Sequence, residues 1–130
     1  MITLGKLTVD EFAFAYIECA LWAETDQSDE SGGRPLDKNF DILDIDGETL
    51  AEMAVDCKKF QEENWDDIAC ENSPGDARAG RDFWLTRNGH GAGFWDGDWP
   101  EVIGERLTAA AKEFGQKWLY VGDDGKIYQS

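Results

Sequence analysis

Residues 81–98 read RDFWLTRNGHGAGFWDGD and bring Asp82, Arg87, His90, Asp96 and Asp98 into one short stretch. Three carboxylates gathered there would make an oxygen-rich site for a hard cation, or a general acid–base pair. Arg87 would either hold an anion through its planar fork or pair with Asp82 or Asp96 across a hairpin. His90 is the only histidine, which excludes a two-histidine metal site within one chain. A cysteine–histidine nucleophilic pair would need Cys19, Cys57 or Cys70 beside His90. The three cysteines are odd in number and widely spaced, all fall on expected helices, and no C-x-x-C spacing suggests zinc. No phosphate-cradling glycine loop occurs. These residues call for no metal and no cofactor, and they serve equally well as the turn and strand residues of a tightly specified hairpin.

A second group of reactive side chains is defined by charge. The chain has 130 residues, with 28 acidic against 12 basic, a formal net charge of −16. That balance argues against direct binding of nucleic acid, which needs a basic face, and against docking on an anionic membrane. The acid is unevenly placed. Residues 1–75 hold 19 acidic and 5 basic residues, a net of −14, whereas residues 76–130 hold 9 and 7, a net of −2. Within the acidic half, Glu48, Glu52, Asp56, Glu63, Asp66 and Asp67 recur at helical spacing on the side opposite an apolar stripe. Asp66 and Asp67 fall near the helix C-terminus, where the helix dipole disfavours negative charge. A basic partner surface would relieve this crowding, and a solvated face would leave it in place.

The elements that must position these groups follow from pattern. Thr8 and Glu11 form a capping-box pair ahead of an apolar run, so a first helix is expected over residues 8–24 with Phe12, Tyr16, Cys19 or Ala20, and Ala23 inward. Residues 25–39 read as an exposed loop. A long helix is expected over 48–71, with Leu50, Met53, Ala54, Cys57, Phe60 and Ile68 on its stripe. Residues 82–87 are rich in strand formers, Asn88-Gly89 is a strong hairpin signal, and 93–96 would return as the second strand. A third helix is expected from Asp98 or Trp99 to Gly115, with Val102, Ile103, Leu107, Ala110 and Phe114 inward. A second hairpin joins 117–121 to 126–128. The expected fold is α+β, three helices and a small antiparallel sheet of two hairpins in the order α-α-β-β-α-β-β. One domain over 1–130 is expected, its acidic helical half 1–75 and its near-neutral half 76–130.

The DFWLTRNGHGAGFWD segment and the LYVGDDGKIY ending resemble a group of small acidic proteins encoded by bacteriophages and prophages. The resemblance covers residues 81–130 and extends loosely into the long helix. It implies a phage genome and the bacterial cytoplasm as a setting, and it carries over no catalytic residues. The start of the chain has no signal-peptide pattern and no apolar run is long enough to span a bilayer, so a cytoplasmic site is expected. The combined expectation is a non-catalytic, phage-encoded binding protein. It would present a DNA-like negative surface to a basic host protein or nucleoprotein complex of the restriction or CRISPR kind. The alternative is a small enzyme, or a cation- or nucleotide-binding protein, centred on Asp82, Arg87, His90 and Asp96.

Overall fold

The computed structural model describes residues 1–26 and 33–130. The chain opens with a ribbon, β1 (Ile2–Leu4) and β2 (Leu7–Val9), paired antiparallel with Thr3 opposite Thr8 and turned at Gly5, whose φ is +63°. Helix α1 (Glu11–Ala23) follows, capped by the Asp10 carboxylate accepting from the Ala13 N–H at 2.9 Å. Thr8, the expected cap, is instead a strand residue. The expected loop contains a second ribbon, β3 (Thr25–Asp26) with β4 (Arg34–Pro35), and a short 3-10 turn at Leu36–Lys38; a second 3-10 turn, Ile42–Asp44, follows it. The part of that loop at 27–32 lies outside the described residues.

Helix α2 (Gly47–Ile68) is capped by Asp46 and buries Leu50, Met53, Cys57, Phe60 and Ile68, as its apolar period requires. Asn64 breaks the helical dihedrals (φ −128°, ψ 19°), with its amide donating to the Phe60 carbonyl at 2.9 Å. The straight part, residues 47–63, is therefore about 25 Å long at 1.5 Å per residue. That is shorter than one turn of B-DNA, about 34 Å.

The largest departure from expectation is at residues 76–99. The expected hairpin is absent: helix α3 (Asp76–Arg87) occupies its first strand, and 88–99 form an irregular loop. The glycine signal was real but belongs to another motif. Gly89 (φ +70°) follows the helix with its N–H on the Thr86 carbonyl (3.2 Å), and the His90 N–H bonds the Leu85 carbonyl (3.0 Å). This is the Schellman arrangement, which needs positive φ at the same place as a hairpin turn would. Gly89→Val should lower stability by about 1–2 kcal/mol, the left-handed penalty of a β-branched residue, read as a reduced urea midpoint.

Helix α4 (Glu101–Glu113) and a last ribbon, β5 (Leu119–Val121) with β6 (Ile127–Gln129), complete the chain. Leu107 and Ala111 face inward, while Val102, expected inward, is 61% exposed. The observed order, with four α-helices and three separate two-stranded ribbons among the described residues, remains α+β. The last ribbon is tied to the start of α2 by the Asp46 N–H on the Ile127 carbonyl at 2.8 Å.

The core is aromatic, and α1 packs on α3 across its length. Phe60 stacks on Phe83 with centroids 4.2 Å apart and on Phe94 at 5.7 Å, and Tyr16 meets the edge of Trp84 at 5.3 Å. The loop after α3 is pinned from both sides. The Phe94 N–H donates to Thr86 Oγ1 (3.1 Å), and Gly104 of α4 sits so close that a Cβ there would lie 2.6 Å from the Phe94 carbonyl oxygen.

Candidate functional site

On the straight part of α2 the side chains of Glu48, Glu52, Glu62 and Glu63 point to solvent, as does Asp66 just beyond the break. Among the described residues none of these five enters an ion pair. Lys59 lies on the same helix but over the Phe114 ring, 5.6 Å from its centroid, leaning towards the C-terminal half. The face is therefore net negative and makes no ion pair among the described residues, although Lys58 and Lys59 are exposed cations on the same helix.

Asp56 and Asp67, expected on that face, have another role. Asp56 accepts from Arg87 Nη1 at 2.9 Å, and Asp67 takes both arms of Arg106 at 3.0 and 2.6 Å. Both are half-buried. The two pairs join the acidic helix to α3 and α4, so basic residues of the C-terminal half neutralise the inner edge of α2 and leave its outer edge bare.

The alternative site does not assemble. Asp82 and Arg87 lie five positions apart on one helix, about 140° around its axis, and face different neighbours. Arg87 is 3% exposed. It donates to the Tyr16 hydroxyl (3.0 Å), to Asp56, and to the carbonyls of Phe114 (2.9 Å) and Gly115 (2.8 Å). It also lies over the Phe83 and Phe114 rings. Four of its five N–H donors are taken by the protein, which leaves no two-pronged fork for an anion. Burial pushes the Tyr16 hydroxyl well above its ordinary range, so it remains the neutral partner of this cation.

Asp82 and Asp96 do come together, with Asp98, but around Arg78. Arg78 Nε lies 3.1 and 3.2 Å from the two Asp82 oxygens and Nη2 3.5 Å from Asp96, and Asp98 closes the group. Asp82 is fully buried and also accepts from the Trp99 indole N–H at 2.8 Å. The expected cation site is thus filled by the chain's own guanidinium. Among the described residues no group of three His, Cys, Asp or Glu side chains is placed to hold a metal ion. Arg78 was missed in the sequence because its i, i+4 spacing from Asp82 has meaning only on a helix.

Burial pushes the Asp82 carboxyl above the usual carboxylate range, against the Trp99 and Arg78 hydrogen bonds that pull it down. A folded pKa above the unfolded one means that the unfolded chain releases this proton first. Stability from this source is present at low pH and falls as pH rises through the folded value. The stability difference between wild type and Asp82→Asn should therefore favour wild type most at the acidic end and shrink towards neutrality in urea titrations. A difference that grows with pH would mean that the ionised pair with Arg78 dominates.

His90 lies in a separate cleft with Trp22, Ala23, Leu85, Gly91 and Ala92, its Nε2 buried without a hydrogen-bond partner. No cysteine lines that cleft. Cys19 is buried against α3, its thiol on the Arg81 carbonyl at 3.7 Å, and burial pushes its pKa up to about 12. Burial likewise pushes the Cys57 thiol up. Both stay protonated and unreactive at neutral pH.

No helix among the described residues is long and apolar enough to cross a membrane. The chain matches no protein-family model, no curated protein and no solved structure.

Proposed function

We propose that this is a non-catalytic acidic binding protein of phage origin, acting in the bacterial host cell on a basic host protein or nucleoprotein complex. Its partner surface is the outer face of α2, carried by Glu48, Glu52, Glu63 and Asp66. By imitating the charge of DNA, this face occupies the nucleic-acid surface of a restriction-type or CRISPR-type target and inhibits it. The observation that carries the reading is the division of labour along α2. Carboxylates at its inner edge are neutralised by Arg87 and Arg106, whereas those at its outer edge are exposed and unpaired. A helix selected only for folding would gain by spreading like charges out, since crowded like pairs one turn apart each cost a few tenths of a kcal/mol.

The near-neutral half, which shares one aromatic core with α1 and α2, is the rigid support of that face. The 25 Å straight segment limits the imitation to less than one helical turn of DNA, so α2 covers a local basic patch.

The test compares proteins captured from bacterial lysate by wild type, by the variant Glu48→Gln/Glu52→Gln/Glu63→Gln/Asp66→Asn, and by His90→Gln. All four positions of the multiple variant are exposed, so its circular dichroism should match wild type and its melting temperature should be equal or higher, because like-charge crowding is relieved. Captured basic proteins should be lost from that variant and retained by His90→Gln. Loss with His90→Gln in an intact fold would move the function to the His90 cleft.

A further inference from the structure

The two 3-10 turns after β4 cross over α1 and leave a groove of about 420 Å³ between them. Its apolar lining is Leu4 of β1, Phe14 and Leu21 of α1, and Phe40 and Ile42 from the crossing segment, with Leu43 at its edge. Leu36 anchors that segment, fully buried, while Leu43 stands out at 67% exposure. An aliphatic side chain held this far into solvent, beside a concave apolar floor, is the composition of a contact surface.

The rim is uniform in sign. Glu18, Asp37 and Asp41 line the groove, and no lysine or arginine does. Asp41 is held in place by its own cap: its Oδ1 accepts from the Leu43 N–H and its N–H donates to Asp44, both at 2.8 Å. The rim charge beside Leu43 is therefore set by the backbone and does not depend on a freely rotating side chain.

We propose that this groove is the anchoring site for the basic partner: it takes a segment that places one bulky apolar side chain on the floor between lysines or arginines facing Glu18, Asp37 and Asp41. Charge complementarity selects this occupant. A second copy of the chain, at net −16, would bring like charge to an acidic rim, and an anionic membrane would do the same. The inference rests on the reading of the protein as a binder of basic surfaces and adds what that reading lacks, an apolar anchor. Rim charges mainly speed encounter and select the partner, while a buried apolar contact sets residence time.

The test titrates full-length, isotope-labelled protein with three synthetic peptides of one length, followed by backbone amide shifts. One is amphipathic Lys/Leu, the second Lys/Gln with equal charge, and the third Glu/Leu with equal apolar content. The Lys/Leu peptide should shift Phe14, Glu18, Leu21 and residues 40–43, and Leu43→Asp should weaken it by about tenfold or more. That position is exposed, so the variant should fold. Lys/Gln should bind more weakly and move α2 amides only, and Glu/Leu should not bind. A Lys/Leu peptide that moves α2 amides alone and binds Leu43→Asp equally well overturns the groove and leaves the α2 reading standing. Groove shifts with α2 amides unmoved by Lys/Gln at low salt would instead overturn the α2 reading. Equal binding of Glu/Leu in the groove overturns the proposed charge selection.

Discussion

Replacing Arg87 by alanine should cost about 3–5 kcal/mol of folding stability, the range found when one member of a buried ion pair is removed. The side chain is 1% exposed and supplies hydrogen bonds to Tyr16, Asp56, Phe114 and Gly115 at 2.8–3.0 Å. Its loss leaves a half-buried carboxylate without its cation and two carbonyls at the end of α4 without donors. It also removes the cation from two aromatic faces. Lysine should rescue only part of the loss, because one ammonium cannot reach four acceptors spread over a planar fork. Urea unfolding of the alanine and lysine variants measures both effects. An alanine variant within about 0.5 kcal/mol of wild type, the range of ordinary surface substitutions, would mean that Arg87 does not join α1, α2 and α4.

Gly80→Val should be the most damaging small substitution, at about 3 kcal/mol or more, through overpacking of backbone on backbone. Gly80 is buried in α3 where α1 crosses it, and a Cβ there would overlap the Phe12 carbonyl oxygen. A backbone atom cannot swing aside, so the helices must separate, and the contact of Phe12 with Phe83, 6.1 Å between centroids, goes with them. Gly80→Ala should already lower the melting temperature clearly. An unchanged melting temperature would show that α1 and α3 do not meet as closely as described.

Both positions explain how the sequence misleads. Phe83, Trp84, Leu85 and Thr86 are strand formers, and by propensity 82–87 should extend. In α3 nearly every side of this stretch is covered, with Asp82, Phe83, Trp84, Thr86 and Arg87 all buried, so packing outweighs propensity and removes the polar face that would mark a helix. Gly80 is a poor helix former kept for close approach. Asn88-Gly89 signalled positive φ correctly, and only the element around it was wrong.

α2 was legible for the opposite reason. One face is apolar, one is acidic, and Asp46 and Gly47 mark its start. Its break at Asn64 is not legible, because it rests on a side-chain hydrogen bond to the Phe60 carbonyl that no apolar period records. Asp123-Asp124-Gly125 marks the turn of the last ribbon, with Gly125 at φ +80°, while its strands are Leu119–Val121 and Ile127–Gln129 where 117–121 and 126–128 are expected. The first was missed because its strands are short and Thr8 imitates a helix cap.

The site residues divide along the same line. Exposure of Glu48, Glu52, Glu63 and Asp66 follows from helical period. The capture of Asp56 by Arg87 and of Asp67 by Arg106 joins residues 31 and 39 positions apart, beyond the reach of any local pattern.

The central claim, that the outer face of α2 is the partner surface, is tested most directly by the salt dependence of the isolated complex. Affinity of wild type and of the Glu48/Glu52/Glu63/Asp66 amide variant for the captured partner is measured over a range of ionic strength. Exposed charges are screened beyond about 8 Å at physiological salt. Wild-type affinity should fall steeply as salt rises, and the variant should bind weakly with a clearly shallower slope. A variant that keeps both the affinity and the salt slope of wild type would contradict the account.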